Sequence, residues 1–188
     1  MAEVLLFHHA QGLTEGCRAF ADEVRAAGHT VHVPDLYEGK TFDDLDDGVA
    51  HAREVGFENV MERGRLAAEG LSNEMVYAGF SLGVMSAQLL AQTRPGAKGA
   101  LLLHGAIPTS EFGGPWPAGV PLQIHTMDAD DWGDAETARE LDDEIESAEV
   151  FLYPGDQHLF TDNSLAAYDA GAAKLLMQRV LSFLDGIE

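Results

Sequence analysis

The chain has 188 residues, 46% of them hydrophobic, and 32 Asp and Glu against 11 Lys and Arg give it a net charge of −21. That length fits one domain spanning residues 1–188, and the ordinary apolar fraction excludes a disordered chain. The negative charge repels phosphate backbones and anionic headgroups, so neither nucleic acid nor a membrane surface is expected as a partner. Acidic runs at 35–47 and 128–143 read as solvated surface. The single cysteine, Cys17, permits no intrachain disulfide. The start MAEVLLFHH lacks the basic region and long apolar stretch of a secretion signal, and no apolar run approaches membrane-spanning length, so a cytoplasmic protein is expected.

In chain order, short runs rich in branched residues predict buried strands: VLLF (4–7), TVHVP (30–34), MVYAG (75–79), GALLLH (99–104), PLQIHT (121–126) and VFLY (150–153). Amphipathic segments alternate with them. Residues 14–27 carry Cys17, Phe20, Ala21 and Val24 at helical spacing and stop at Gly28. Residues 43–55 and 58–71 predict two helices split near Gly56, and further helices are expected over 82–93, 135–147 and 165–184. In the last of these, Leu165, Tyr168, Ala172, Leu175, Leu176, Val180 and Phe183 form the expected apolar stripe. Cys17, inside the first helix, is expected to pack. Strands alternating with helices predict an α/β fold: a single, mostly parallel doubly wound sheet with helices on both faces. The crevice of such a sheet lies at the carboxyl ends of the first and third strands, where HHAQG and GFSLG fall. The longest irregular stretch, GAIPTSEFGGPWPAGVP (105–121), leaves the end of a strand and is expected to help form the site.

GFSLG places Ser81 between Gly79 and Gly83 at a strand-to-helix junction. A serine hydroxyl needs a base to take its proton, and that base needs an orienting acid. Downstream, MDADDWGD offers Asp128, Asp130 and Asp131 at one strand end, and PGDQHLF offers His158 beyond the next. The order serine, aspartate, histidine along one sheet edge is far more specific than Gly-X-Ser-X-Gly by itself. The amide of Leu82, at a helix N-terminus, and that of Ala10, after the first strand, are the expected oxyanion donors. Asp134 is expected to cap the helix beginning near Ala135. Of His8 and His9, one is expected to face the crevice and the other to pack.

VLLFHHAQGL, VHVPDLYEG, AGFSLGV, HGAIPTSEFGGPWPAGVPLQIHTMDADDW and FLYPGDQHLF together resemble the dienelactone hydrolase family of the α/β hydrolase fold, over almost the whole chain. The resemblance implies an enzyme without a cap domain and without a cofactor, acting on a small-molecule ester or lactone through a covalent acyl-enzyme. It places the nucleophile on Ser81, the histidine on His158 and the acid on Asp130, with Asp128 and Asp131 in reserve. The chain departs from the family pattern in two respects: Ser81 stands where the characterised enzymes resembling it have cysteine, and His9 where they have a glutamate. The arginine that follows their triad histidine is not visible in HLFTDN, so dienelactone is not assigned as the substrate.

The expected enzyme is therefore a serine hydrolase with Ser81, His158 and Asp130 at its centre. His9, Phe112, Trp116, Trp132 and Phe160 are expected to line a small, partly aromatic pocket. Two rival readings are a catalytically silent ligand-binding protein on the same fold and a metal-dependent hydrolase built on His8, His9 and nearby carboxylates, although no HExxH pattern supports the latter. Assembly into a homo-oligomer is left open by the pattern.

Overall fold

Side-chain alternation along the first strand decides how the molecule is layered. Val4 and Leu6 join one apolar cluster and Leu5 and Phe7 the other, and all four are buried, so the strand is covered on both faces. The computed structural model describes residues 1–187. In chain order its elements are β1 (Glu3–Phe7), α1 (Glu15–Ala26), β2 (Thr30–His32), α2 (Leu45–Val55), α3 (Phe57–Ala67), β3 (Val76–Phe80), α4 (Gly83–Thr93), β4 (Gly99–Leu103), β5 (Leu122–Met127), α5 (Ala135–Glu144), β6 (Ala148–Tyr153) and α6 (Ala170–Asp185).

The sheet runs β2-β1-β3-β4-β5-β6 with every neighbouring pair parallel. The central strands β3 and β4, VYAGF and GALLL, are buried along their full length. One face packs against α1 and α6 through Cys17, Phe20, Val24, Leu176 and Val180. The other packs against α2 to α5 through Ala52, Val60, Val84, Leu90 and Leu141. The order reverses between β1 and β3, which opens the expected crevice at their carboxyl ends. No separate cap domain stands over that edge among the described residues.

Local signals set the helix ends. The Thr14 hydroxyl accepts from the Cys17 amide, and the Asp44 and Asp169 carboxylates accept from the first-turn amides of α2 and α6. Each such cap is worth about 1 kcal/mol. Gly56, at φ 89°, separates α2 from α3 where the break was expected. The last helix starts at Ala170, later than its periodicity suggested, because Asp169 caps it there. Its buried face is Leu176, Met177, Val180 and Leu184, while Tyr168 precedes the helix and Leu175 is exposed.

Candidate active site

The turn from β3 into α4 holds Ser81 at φ 48°, a left-handed conformation unusual for a residue with a Cβ. Its amide donates to the Leu103 carbonyl at 2.7 Å, and its own carbonyl accepts from the Val84 amide at 2.9 Å. The flanking glycines are required by contact. A Cβ on Gly79 would lie 2.2 Å from the Gly83 carbonyl oxygen, and one on Gly83 would lie 2.4 Å from the Phe7 oxygen. Strand and helix can therefore approach closely enough to present the serine hydroxyl above the sheet edge.

Two later strand ends supply its partners. His158 lies on the connection after β6, and its Nε2 is 2.8 Å from Ser81 Oγ. Asp130 lies just beyond β5, and its Oδ2 is 2.7 Å from His158 Nδ1. A carboxylate can only accept, so Nδ1 donates, which leaves Nε2 as an acceptor for the serine proton. The Trp132 amide donates to the other oxygen, Oδ1, at 2.9 Å. Gly133 makes room for this carboxylate, since a Cβ there would meet Asp130 Oδ2 at 2.7 Å and Thr126 Oγ1 at 2.1 Å. The side chains of Asp130 and His158 are 1% and 7% exposed, so the pair is shielded from competing water. The reserves, Asp128 and Asp131, are exposed, and Asp128 instead accepts from the Gly155 amide.

Ser81 opens onto a cavity of about 320 Å³ whose walls include Ala10, Leu82, Val84, Met85, Ile107 and Trp132. Among the described residues no acceptor takes the amide of Ala10 or of Leu82, and both residues line the cavity. The Trp132 ring is tilted against His158 with centroids 6.3 Å apart. Four residues expected to line the pocket lie outside it. His9 and Phe160 are buried in the protein, Phe160 edge-on to His104 at 4.7 Å. Trp116 is folded into the core, its Nε1 donating to the Val120 carbonyl, and Phe112 ends a 3-10 turn (Thr109–Phe112) away from the cavity. The far wall comes from helices that carried no motif: Val49, Ala52 and Arg53 of α2 and Phe57 of α3. The one clue in the sequence was Phe57, an apolar residue directly after the helix-splitting Gly56. Asp134 occupies the cap position of α5, but at φ 51° its side chain makes no capping bond, and it borders the cavity.

The other histidines near the edge are structural in their contacts. His8 donates through Nδ1 to the His9 carbonyl and accepts through Nε2 from the Leu36 amide, so both ring nitrogens are used, and burial lowers its pKa to about 4. His104 shares a hydrogen bond with the Thr161 hydroxyl at 2.7 Å, and complete burial holds its pKa well below the usual value. His125 is bonded to Tyr153 and Gln123, and burial together with Arg179 lowers it to about 3. His9 contacts Asp162 at 2.8 Å. Cys17 lies beside that pair, its donor atom within 4.8 Å of theirs. Burial opposes a charge on His9, and the Gln11 amide directed at Nδ1 at 3.2 Å keeps that nitrogen unprotonated. Burial likewise opposes ionisation of Asp162, whose bonds from His9, Ser164 and Thr14 prevail and hold it at about 2.

A serine on a strand-to-helix turn at the switch point, met by groups from the connections after β5 and β6, is the layout of the α/β hydrolases. Solved structures share the fold. A dienelactone hydrolase-like promiscuous phosphotriesterase from metagenomic libraries aligns with a TM-score of 0.76 at 18% identity, over 100% of this chain and 87% of its own. The dienelactone hydrolase of Anabaena variabilis aligns at 0.70 and 15% identity over 100% and 87%, and mouse alpha/beta hydrolase domain-containing protein 10 at 0.71 and 14% over 97% and 89%. No curated protein sequence matches significantly. The model of the dienelactone hydrolase family matches residues 1–187, and the chain belongs to that family. It is a hydrolase of the carboxylic ester type with a small-molecule substrate, and no helix among the described residues is long and apolar enough to cross a membrane.

Proposed function

We propose that the protein hydrolyses a small carboxylic ester or lactone through an acyl-enzyme on Ser81. The observation that carries this reading is the unbroken line from Ser81 Oγ to His158 Nε2 at 2.8 Å and from His158 Nδ1 to Asp130 Oδ2 at 2.7 Å, opening on an apolar cavity. His158 takes the serine proton as Oγ bonds to the substrate carbonyl carbon, and Asp130 stabilises the imidazolium that forms. The carbonyl oxygen becomes an oxyanion held by the amides of Leu82 and Ala10, which have no other acceptor among the described residues. Collapse breaks the ester C–O bond, with His158 returning its proton to the leaving alkoxide. Water then attacks the acyl-enzyme by the same route, releasing the acid and restoring Ser81. Trp132, Met85, Ile107 and Phe57 surround the acyl or alcohol portion.

The test is labelling with a fluorophosphonate probe alongside turnover of p-nitrophenyl acetate and a panel of small lactones. Labelling at Ser81 and loss of both labelling and turnover in Ser81→Ala are expected. Equal labelling in that variant would overturn the nucleophile assignment. Because one structural neighbour is a promiscuous phosphotriesterase, a phosphotriester belongs in the same panel.

A further inference from the structure

His9 is 1% exposed and contributes nothing to the cavity wall, yet it sits at the root of the loop that carries Ala10. Its carbonyl accepts the Gly12 amide at 3.0 Å, and its Nδ1 accepts the Gln11 amide at 3.2 Å. Two of the three successive amides in this loop are thus folded back onto His9. The third, that of Ala10, has no acceptor among the described residues and borders the cavity.

The other ring nitrogen reaches across the molecule. With Nδ1 accepting, Nε2 donates to Asp162 Oδ2 at 2.8 Å. That carboxylate has no freedom left. Thr14 donates to the same oxygen, and the amide and hydroxyl of Ser164 donate to Oδ1 at 2.9 and 2.6 Å. Gly16 lies directly against it, since a Cβ there would fall 1.7 Å from Oδ1. Asp162 in turn closes the turn that follows His158: its amide donates to the Leu159 carbonyl at 3.0 Å, with Leu159 in a left-handed conformation at φ 62°.

From these contacts we infer that His9 and Asp162 are positioning residues, locking the loop that presents the Ala10 amide to the loop that presents His158. The inference rests on the triad reading above and assigns a task to His9, which lies outside the cavity wall. An apolar pair could fill the same space, but a saturated carboxylate facing an oriented imidazole fixes direction as well as distance. Direction matters here. An oxyanion donor must meet the developing charge while the base faces the serine, and displacing such a group by about 1 Å costs on the order of a hundredfold in rate.

Two isosteric variants separate the contacts. In His9→Asn, Oδ1 can stand in for Nδ1 and keep the Gln11 amide, but Asp162 is out of reach. In His9→Gln, Nε2 can reach Asp162, but the Gln11 contact is lost. Both avoid the empty space of Asp162→Ala, which would threaten folding. Active sites are counted by fluorophosphonate titration, and kcat per titrated site is measured with p-nitrophenyl acetate. The affinity of phenylboronic acid, which forms a tetrahedral adduct at the serine, is measured in parallel. Both variants are expected to lose kcat on the order of tenfold to a hundredfold with KM within about threefold, and to lose boronate affinity in step. A merely structural role would reduce the number of titrated sites and leave kcat per site and boronate affinity alone. If kcat per site stays within about twofold of the unaltered protein in both variants, the positioning role is overturned while the triad reading stands. If Ser81→Ala keeps the turnover of the unaltered protein, the triad reading itself fails and takes this one with it.

Discussion

The Trp132 amide donates to Asp130 Oδ1 at 2.9 Å, which commits the opposite oxygen, Oδ2, to His158. In Asp130→Asn the backbone donor keeps its acceptor only if the amide oxygen takes the Oδ1 place. The NH2 group then faces His158 Nδ1. That nitrogen must become an acceptor, the ring proton moves to Nε2, and Ser81 meets a donor where it needs a base. A fall in kcat of about three to four orders of magnitude is expected with an unchanged circular dichroism spectrum, as for wrong-tautomer substitutions in serine hydrolases. Steady-state kinetics on p-nitrophenyl acetate check it; a loss of only a few-fold would remove Asp130 from the assigned role.

Arg53 is the only arginine or lysine in the cavity wall among the described residues. In a chain with a net charge of −21, an exposed positive group in the cavity wall favours substrates that carry a carboxylate. Arg53→Ala is expected to raise KM about fivefold for an ester bearing a carboxylate, the size of one solvent-screened ion pair, with neutral esters little changed. Paired KM measurements on a hemisuccinate and the matching neutral ester decide the point; equal effects on both would refute selective charge recognition.

His8, His104 and His125 are buried in neutral form, their pKa values pushed to about 4, well below normal and about 3 respectively, in each case chiefly by burial. A group with a depressed histidine pKa takes up fewer protons folded than unfolded, so its stabilising effect is complete above the unfolded value near 6.5 and shrinks as pH falls toward the folded one. Each contributes a slope approaching about 1.4 kcal/mol per pH unit within that window. Asp162, lowered to about 2, changes occupancy below that window. Urea unfolding at pH 7.5, 6.5 and 5.5 is expected to show stability falling below 6.5. A flat profile would contradict neutral burial of the three.

Gly79→Ala would set a Cβ 2.2 Å from a backbone oxygen that no side-chain rotation can move, whereas a Cβ on Gly114 meets nothing within 4 Å. Gly79→Ala is expected to cost on the order of 3 kcal/mol and Gly114→Ala less than about 0.5 kcal/mol. Thermal unfolding of the two variants side by side tests the contrast.

The strands and the reversal between β1 and β3 are legible because buried parallel strands are written as short apolar runs and the connections are long enough to hold helices. The Ser81, Asp130 and His158 arrangement was legible for a related reason: a parallel sheet brings successive strand ends to one edge, so sequence order becomes spatial neighbourhood. The pocket walls were not. Phe160 and Trp116 are aromatic residues near the edge, but which way each side chain points depends on packing with His104 and on the Val120 carbonyl. Nothing local to either residue encodes that. His9 reads as a pocket residue from its place after the first strand, but its partner, Asp162, lies 153 positions away, and the pairing has no periodic signature. Arg53 and Phe57 went unnoticed because helix residues without a motif look like ordinary surface.

The α2–α3 pair, joined at Gly56, brings Val49, Arg53 and Phe57 to the cavity, while Ser81, Asp130 and His158 all stand at strand ends. Part of the wall is thereby supplied by segments remote in sequence from those strand ends, while Met85 and Trp132 lie close to Ser81 and Asp130 along the chain. If Ser81, Asp130 and His158 carry the chemistry proposed above, substitutions at Val49, Arg53 and Phe57 recut the shape and charge of the far wall from positions outside those strand ends.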